Sequence, residues 1–128
     1  MTDPIADMII RLKNGGEAGK SFVVFPYSNI KFAIAEILQR EGFIKAVTKK
    51  GKKVKLIEIE LMYENNSPRV RGVQRISKFS KRVYLKSKEI KPVRNYSGRL
   101  IITTPKGLLT DVEARKQKLG GEALFKIW

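Results

Sequence analysis

The reading of this chain turns on Leu100 to Trp128, LIITTPKGLLTDVEARKQKLGGEALFKIW. An apolar run, Leu100-Ile101-Ile102, passes directly into Thr103-Thr104-Pro105-Lys106-Gly107. Pro105 fixes φ and Gly107 is free to take φ > 0, which predicts a tight turn with two hydroxyls and an ammonium at its mouth. Thr110 and Glu113 have the spacing of a capping box: the hydroxyl accepts from the Glu113 N–H while the carboxylate reaches back to the cap. A short helix follows, Asp111 to Lys118, with acids in its first turn and bases in its last, as the helix dipole favours. Gly120 is placed to close it, and Glu122 leads into an alternating strand, Ala123 to Trp128. Strand, turn, helix, Gly-Gly-Glu turn and strand bring two polar turns near one another. Such a platform offers several hydrogen-bonding groups to a polyanion.

Upstream, Ser87 to Tyr96 reads as an irregular, basic connection, and Val70 to Ser77 and Val83 to Lys86 as strands joined by Lys78 to Lys81. Glu64 to Pro68 is a cluster of polar turn formers between apolar segments, and it places a boundary between two halves, 1–64 and 65–128. At the start Asp3 reads as an N-cap with Pro4 at the first helical position. Ile5, Met8, Ile9 and Leu12 then share one helical face, and Asn14-Gly15-Gly16 is predicted to end the helix. Ser21 to Phe25 is a short strand stopped by Pro26. Ser28 caps a second helix with a predicted stripe of Ile30, Ala33, Ile34, Ile37 and Leu38, closed by Gly42. Ile44 to Thr48 and Val54 to Tyr63 read as a hairpin, with Ile57, Ile59, Leu61 and Tyr63 on one face and Glu58 and Glu60 on the other. The expected fold is α+β: an α-β-α-β-β half, then a mostly β half with one short helix. Halves of about 60 residues are marginal alone, so the two are expected to pack on each other.

The 128 residues carry 27 Lys plus Arg against 12 Asp plus Glu, a formal charge of +15. So positive a chain repels itself and seeks a polyanion, with nucleic acid ahead of an anionic membrane. No apolar run is long enough to span a bilayer and no secretory h-region opens the chain, so a cytoplasmic location is expected. With no Cys and no His, disulfides, thiolate metal sites and the usual proton shuttle are excluded. Asp3 and Asp7 lie one helical turn apart and are the nearest approach to metal-ligating carboxylates, as a magnesium-dependent nuclease would need. Asp3 is better explained as a cap, and no third acid joins them by spacing. Neither enzymatic chemistry, a metal nor a cofactor is expected. Basic residues cluster at Lys45 to Lys55, with six lysines, and at Arg75 to Arg94, with eight bases against the single acid Glu89. One charge run is most often a solvated face, but two on so basic a chain point to phosphate.

Lys106-Gly107, Thr110-Asp111, Ala114-Arg115 and Gly120-Gly121-Glu122, taken in order, resemble the C-terminal signature of the family of the eighth small-subunit ribosomal protein, bacterial type. Asp3-Pro4-Ile5-Ala6-Asp7-Met8 with Arg11 and Asn14-Gly15, then Glu41-Gly42-Phe43-Ile44, Gln74-Arg75-Ile76-Ser77 and Arg82-Val83-Tyr84, are similar to its earlier segments, so the resemblance covers nearly the whole chain. It implies a structural protein that binds an internal-loop helix in the central domain of small-subunit ribosomal RNA early in assembly. It also implies neighbouring ribosomal proteins as partners, the fifth of the small subunit first and the twelfth second, with a monomer when free. The alternative is an architectural nucleic-acid-binding protein outside the ribosome.

The residues expected to meet RNA are Thr103, Thr104, Pro105, Lys106, Gly107, Gly120, Gly121, Glu122, Tyr84, Arg75, Lys78, Arg82, Ser28 and Lys31. Thr103 and Thr104 would otherwise be ordinary β-branched strand residues. Tyr84 would otherwise pack its ring, and the resemblance places it close to RNA. Glu122 would otherwise be a solvated strand end, and as a ligand it would accept from a base amino group. Ser28, Asn29 and Lys31 sit at a helix N-terminus, which favours phosphate, although capping alone explains Ser28. The chain departs from the family at Pro105 (a serine there), at Phe79-Ser80 (Pro-Gly), at Asn29 (often lysine) and at Tyr96 (often glycine).

Overall fold

In the computed structural model, which describes residues 3–94 and 97–128, the Asp3 carboxylate accepts from the Ala6 N–H and Pro4 opens helix α1, Pro4–Glu17. Ile5, Met8, Ile9 and Leu12 form its buried face. The helix does not end at Asn14-Gly15-Gly16, as the glycines suggest. A Cβ on Gly15 would stand 2.9 Å from Val23 Cγ1, and one on Gly16 2.8 Å from Pro68 Cβ. Close packing therefore outweighs the roughly 1 kcal/mol that glycine costs a helix interior. The chain leaves the helix through Ala18, and Gly19 takes φ +71°.

Strand β1 (Phe22–Pro26), helix α2 (Asn29–Arg40) and strands β2 (Ile44–Lys50) and β3 (Leu56–Leu61) follow, with the antiparallel sheet ordered β1-β3-β2. Val23, Phe25, Ile57, Ile59 and Leu61 alternate onto the buried face, each large side chain contributing about 1.5–3 kcal/mol. Glu58 and Glu60 face the other way. The stripe of α2 is Lys31, Ile34, Ala35, Ile37 and Leu38, while Ile30 is 43% exposed. The helix is turned by about one position because the Lys31 stem packs inward, its Nζ 6.0 Å from the Phe25 ring centre.

The Glu64–Pro68 segment, expected as a domain boundary, is a hairpin of β4 (Tyr63–Glu64) and β5 (Ser67–Pro68). Asn65 and Asn66 both adopt positive φ, +51° and +64°, as a two-residue primed turn requires. The hairpin belongs to the first of two compact units, Met1–Arg71 and Gly72–Trp128.

The second unit is organised on strand β10 (Gly121–Ile127). Along one edge of β10 run β6 (Val73–Arg75) and β7 (Tyr84–Leu85), which pair with it in tandem rather than with each other. Strand β8 (Arg99–Thr104) takes the other edge, and β9 (Gly107–Thr110) lies beyond it. Helix α3 (Asp111–Gln117) carries the chain from β9 over β8 to β10, packing Ala114 on Leu100, Ile102, Leu109 and Ala123 together with Ile90 and Val93. Its capping box forms as the spacing predicts, with Glu113 N–H to Thr110 Oγ1 at 3.2 Å and Thr110 N–H to Glu113 Oε1 at 3.1 Å. Lys118, not Gly120, closes the helix: it takes the left-handed conformation, φ 57° and ψ 40°.

Candidate nucleic-acid interface

Register places the site. Glu122 on β10 is paired with Tyr84 on one side and with Thr103 on the other. Directly opposed residues share a face, so the three side chains form a row across three strands on the face away from Ala123, Ile102 and Leu109. Tyr84 is 68% exposed, while Thr103 and Glu122 are half-buried. The Glu122 carboxylate is not free. Its Oε2 accepts from Arg82 Nη1 at 2.9 Å, and the Arg82 guanidinium lies 5.2 Å from the centre of the Phe79 ring. The acid of the row is thereby neutralised, and an arginine is fixed beside it.

Arg82 and Phe79 belong to a braced excursion from the sheet edge. Lys78 and Lys81 exchange both backbone hydrogen bonds, at 2.8 and 3.0 Å, around Phe79-Ser80. Beneath them Ser77 is fully buried, and its hydroxyl accepts from the Val83 N–H at 2.8 Å and donates to the Val83 carbonyl at 3.3 Å. This staple holds the turn's two ends together. Lys78, Phe79, Ser80, Lys81 and Arg82 are all exposed. Phe79-Ser80 therefore rebuilds the turn without loosening it.

At the other end of the row, Pro105 and Lys106 form the corner between β8 and β9, and Gly107 takes φ +102°. Lys106 is not among the residues with positive φ, so the turn is of type I with a glycine bulge behind it. Pro105, Lys106 and Gly107 are exposed. Thr104 is different. Alternation sends it to the opposite face from Thr103, where it is 9% exposed. Its hydroxyl donates to the Gly107 carbonyl at 2.8 Å and accepts from the Lys106 N–H at 3.1 Å. Only Thr103 joins the row, and Thr104 holds the turn.

Three further residues read as ligands have work inside the fold. A Cβ on Gly121 would fall 1.9 Å from the Thr103 carbonyl oxygen, and one on Gly120 would fall 2.4 Å from that of Leu85. The two glycines let three backbones converge under the row. Arg75 donates to the carbonyl of Leu124, the extra residue of a bulge where β10 slips against β8. The Ile76 N–H bonds that same carbonyl at 3.0 Å, so Arg75 fastens the bulge.

The full length of the chain has known relatives. Residues 3–128 match the family model described as Ribosomal protein S8. The chain belongs to the S8 family of ribosomal proteins. It is 48% identical to the small ribosomal subunit protein uS8 of Streptococcus mutans, with 100% of this chain and 98% of the relative covered. The uS8 proteins of Persephonella marina and Sphingopyxis alaskensis are 46% and 44% identical, over 100% of this chain and 99% and 98% of theirs. S8 is a family of ribosomal proteins, not of enzymes, and no helix of the described residues is long and apolar enough to cross a membrane.

In this S8 chain the first unit keeps little of its predicted site. The Ser28 hydroxyl accepts from the Lys31 N–H at 3.2 Å, which is capping. Lys31 is 9% exposed and turned toward Phe25, so it is not poised for a phosphate. Asn29 accepts from the Tyr27 hydroxyl at 3.1 Å. Tyr96, the remaining departure, lies outside the described residues. Ser77 and Asp111 were missed as structural polar groups. Asp111 is fully buried, accepts from the Leu100 N–H at 3.2 Å and holds Arg115 at 3.3 Å. Spacing gave some sign of that pair, since Asp111 and Arg115 stand at i and i+4.

Proposed function

We propose that this S8 chain is a structural constituent of the small ribosomal subunit. It binds the central domain of small-subunit ribosomal RNA directly and helps that domain assemble, in the cytoplasm and beside the fifth and twelfth proteins of the subunit. Family membership supports the ribosomal setting, and the observation that carries direct binding is the row Tyr84–Glu122–Thr103. Its acid is already paired with Arg82, and it lies between the exposed bases of the 78–82 turn and the exposed Lys106. Lysines would neutralise phosphates and set register. The Tyr84 ring would lie against a ribose or unstacked base, and Thr103 would reach a 2′-hydroxyl or a base edge in the shallow minor groove.

The test is binding of the whole chain to an internal-loop helix from the central domain, against duplex DNA of equal length at moderate salt. Strong preference for the RNA is expected. Tyr84→Ala with Thr103→Ala should weaken it by about 1–3 kcal/mol while the fold persists. Equal affinity for both nucleic acids would point instead to an architectural protein acting outside the ribosome.

A further inference from the structure

The lysines between Lys45 and Lys55 are not equivalent. Lys50 pairs with Glu58 at 2.9 Å and Lys45 with Glu60 at 3.6 Å, so the two acids of β3 neutralise the two lysines that flank them. Lys49 is held over two rings, its Nζ 4.7 Å from the centre of Tyr27 and 5.4 Å from that of Phe32. Lys52, Lys53 and Lys55 are left. All three are exposed, and among the described residues none makes an ion pair.

Their platform is compact. Gly51 turns the chain at φ +94°, and a Cβ there would fall 2.0 Å from the Val54 carbonyl oxygen, so the tip is closed against itself. Its base is tied down too, because the Tyr27 N–H donates to the Lys55 carbonyl at 3.0 Å. That bond sets the tip beside Tyr27 and the N-terminus of α2, where Ser28 caps the Lys31 N–H and the helix dipole favours an anion. No acid lies between Lys45 and Lys55 or between Tyr27 and Lys31. Three like charges held close together on a short turn repel one another, a cost that phosphates would relieve.

We propose that the β2–β3 hairpin tip, Lys52, Lys53 and Lys55 with Lys49 and Tyr27 behind them, is a second RNA-binding site. It takes the phosphate backbone of a ribosomal RNA segment outside the helix bound by the second unit. The site replaces Lys31, which the packing of Phe25 has withdrawn. It rests on the reading that this chain binds ribosomal RNA, and it adds a contact on the first unit that the row around Glu122 does not need.

The experiment compares the whole wild-type chain with K52Q/K53Q/K55Q on two RNAs, the isolated internal-loop helix and a transcript of the entire central domain. Three exposed glutamines relieve the local repulsion, so the variant should stay folded with a melting temperature equal to or slightly above that of wild type. The variant is expected to bind the short helix like wild type and the long transcript about ten-fold more weakly. On the long transcript its log–log salt slope should be shallower by about 2, the share of three phosphates. Wild-type affinity and slope on both RNAs would overturn the proposal and leave the lysines a solvated face or a dock for an acidic protein. Equal weakening on both would also overturn it, since the lysines would then serve the first site. Failure of wild type to bind either RNA sinks the underlying reading and this one together, a result distinct from the other two.

Discussion

Thr103 and Thr104 are adjacent and chemically identical, and the strand gives them opposite tasks. Thr103 stands in the row beside Glu122, whereas the Thr104 hydroxyl is consumed by the Gly107 carbonyl and the Lys106 N–H. Two single substitutions therefore separate binding from folding. Thr104→Ala should cost about 1–2 kcal/mol in urea unfolding, because a nearly buried hydroxyl leaves a backbone donor and an acceptor to find water. Thr103→Ala should leave unfolding within about 0.5 kcal/mol and lower RNA affinity instead. The reverse pattern would mean that the strand's faces have been assigned wrongly. Lys118 gives a second residue-scale test. It is exposed and left-handed, with φ 57°, a conformation that costs a residue with a Cβ about 1 kcal/mol. Lys118→Gly should therefore raise the melting temperature by a few degrees. A fall would show that its ammonium contributes more to the end of α3 than its backbone strain removes.

At the scale of elements, the turns between β6 and β7 and between β8 and β9 are rigid for different reasons. The first rests on the buried Ser77 hydroxyl, the second on Thr104 and on Pro105 at the corner. Pro105→Ser restores an N–H and a hydroxyl at an exposed position and releases a fixed φ. It should lower stability by up to about 1 kcal/mol and tighten RNA binding by about 0.5–1.5 kcal/mol. Unchanged affinity in a folded variant would show that the corner does not touch the RNA. Helix α3 is anchored by Asp111, and Asp111→Ala should destabilise the chain by about 2–3 kcal/mol, since it strands the buried Leu100 N–H and releases Arg115. Asp111→Asn, which keeps an acceptor, should cost less. These elements also mark how far the sequence could be read. The capping box of α3 was legible because Thr110 and Glu113 interact locally at a spacing that has few other uses. Gly15, Gly16, Gly120 and Gly121 were not, because each answers to a partner on another element, such as Val23, Pro68 or the Thr103 carbonyl. The same holds for Arg75, whose acceptor Leu124 is 49 positions away and exposed by a bulge no periodicity announces.

For the whole molecule, the charge of +15 was visible from composition, but its useful part was not. Pairing decides that part: Lys45, Lys50 and Arg82 are matched by Glu60, Glu58 and Glu122, while Lys78, Lys81 and Lys106 remain exposed around the row. Net charge and local charge then predict opposite responses to one variable. Added salt screens the chain's self-repulsion, so the free protein should melt at a higher temperature as salt rises from low to moderate. The same salt competes for phosphate. With about five phosphates neutralised on the short internal-loop helix, the logarithm of the association constant should fall against the logarithm of salt concentration with a slope of about −4. Melting and binding titrations in one buffer series therefore diverge, and the divergence excludes general unfolding as the cause of lost affinity. A slope near zero alongside rising stability would show that the lysines around the row serve only to keep the chain apart from its own copies.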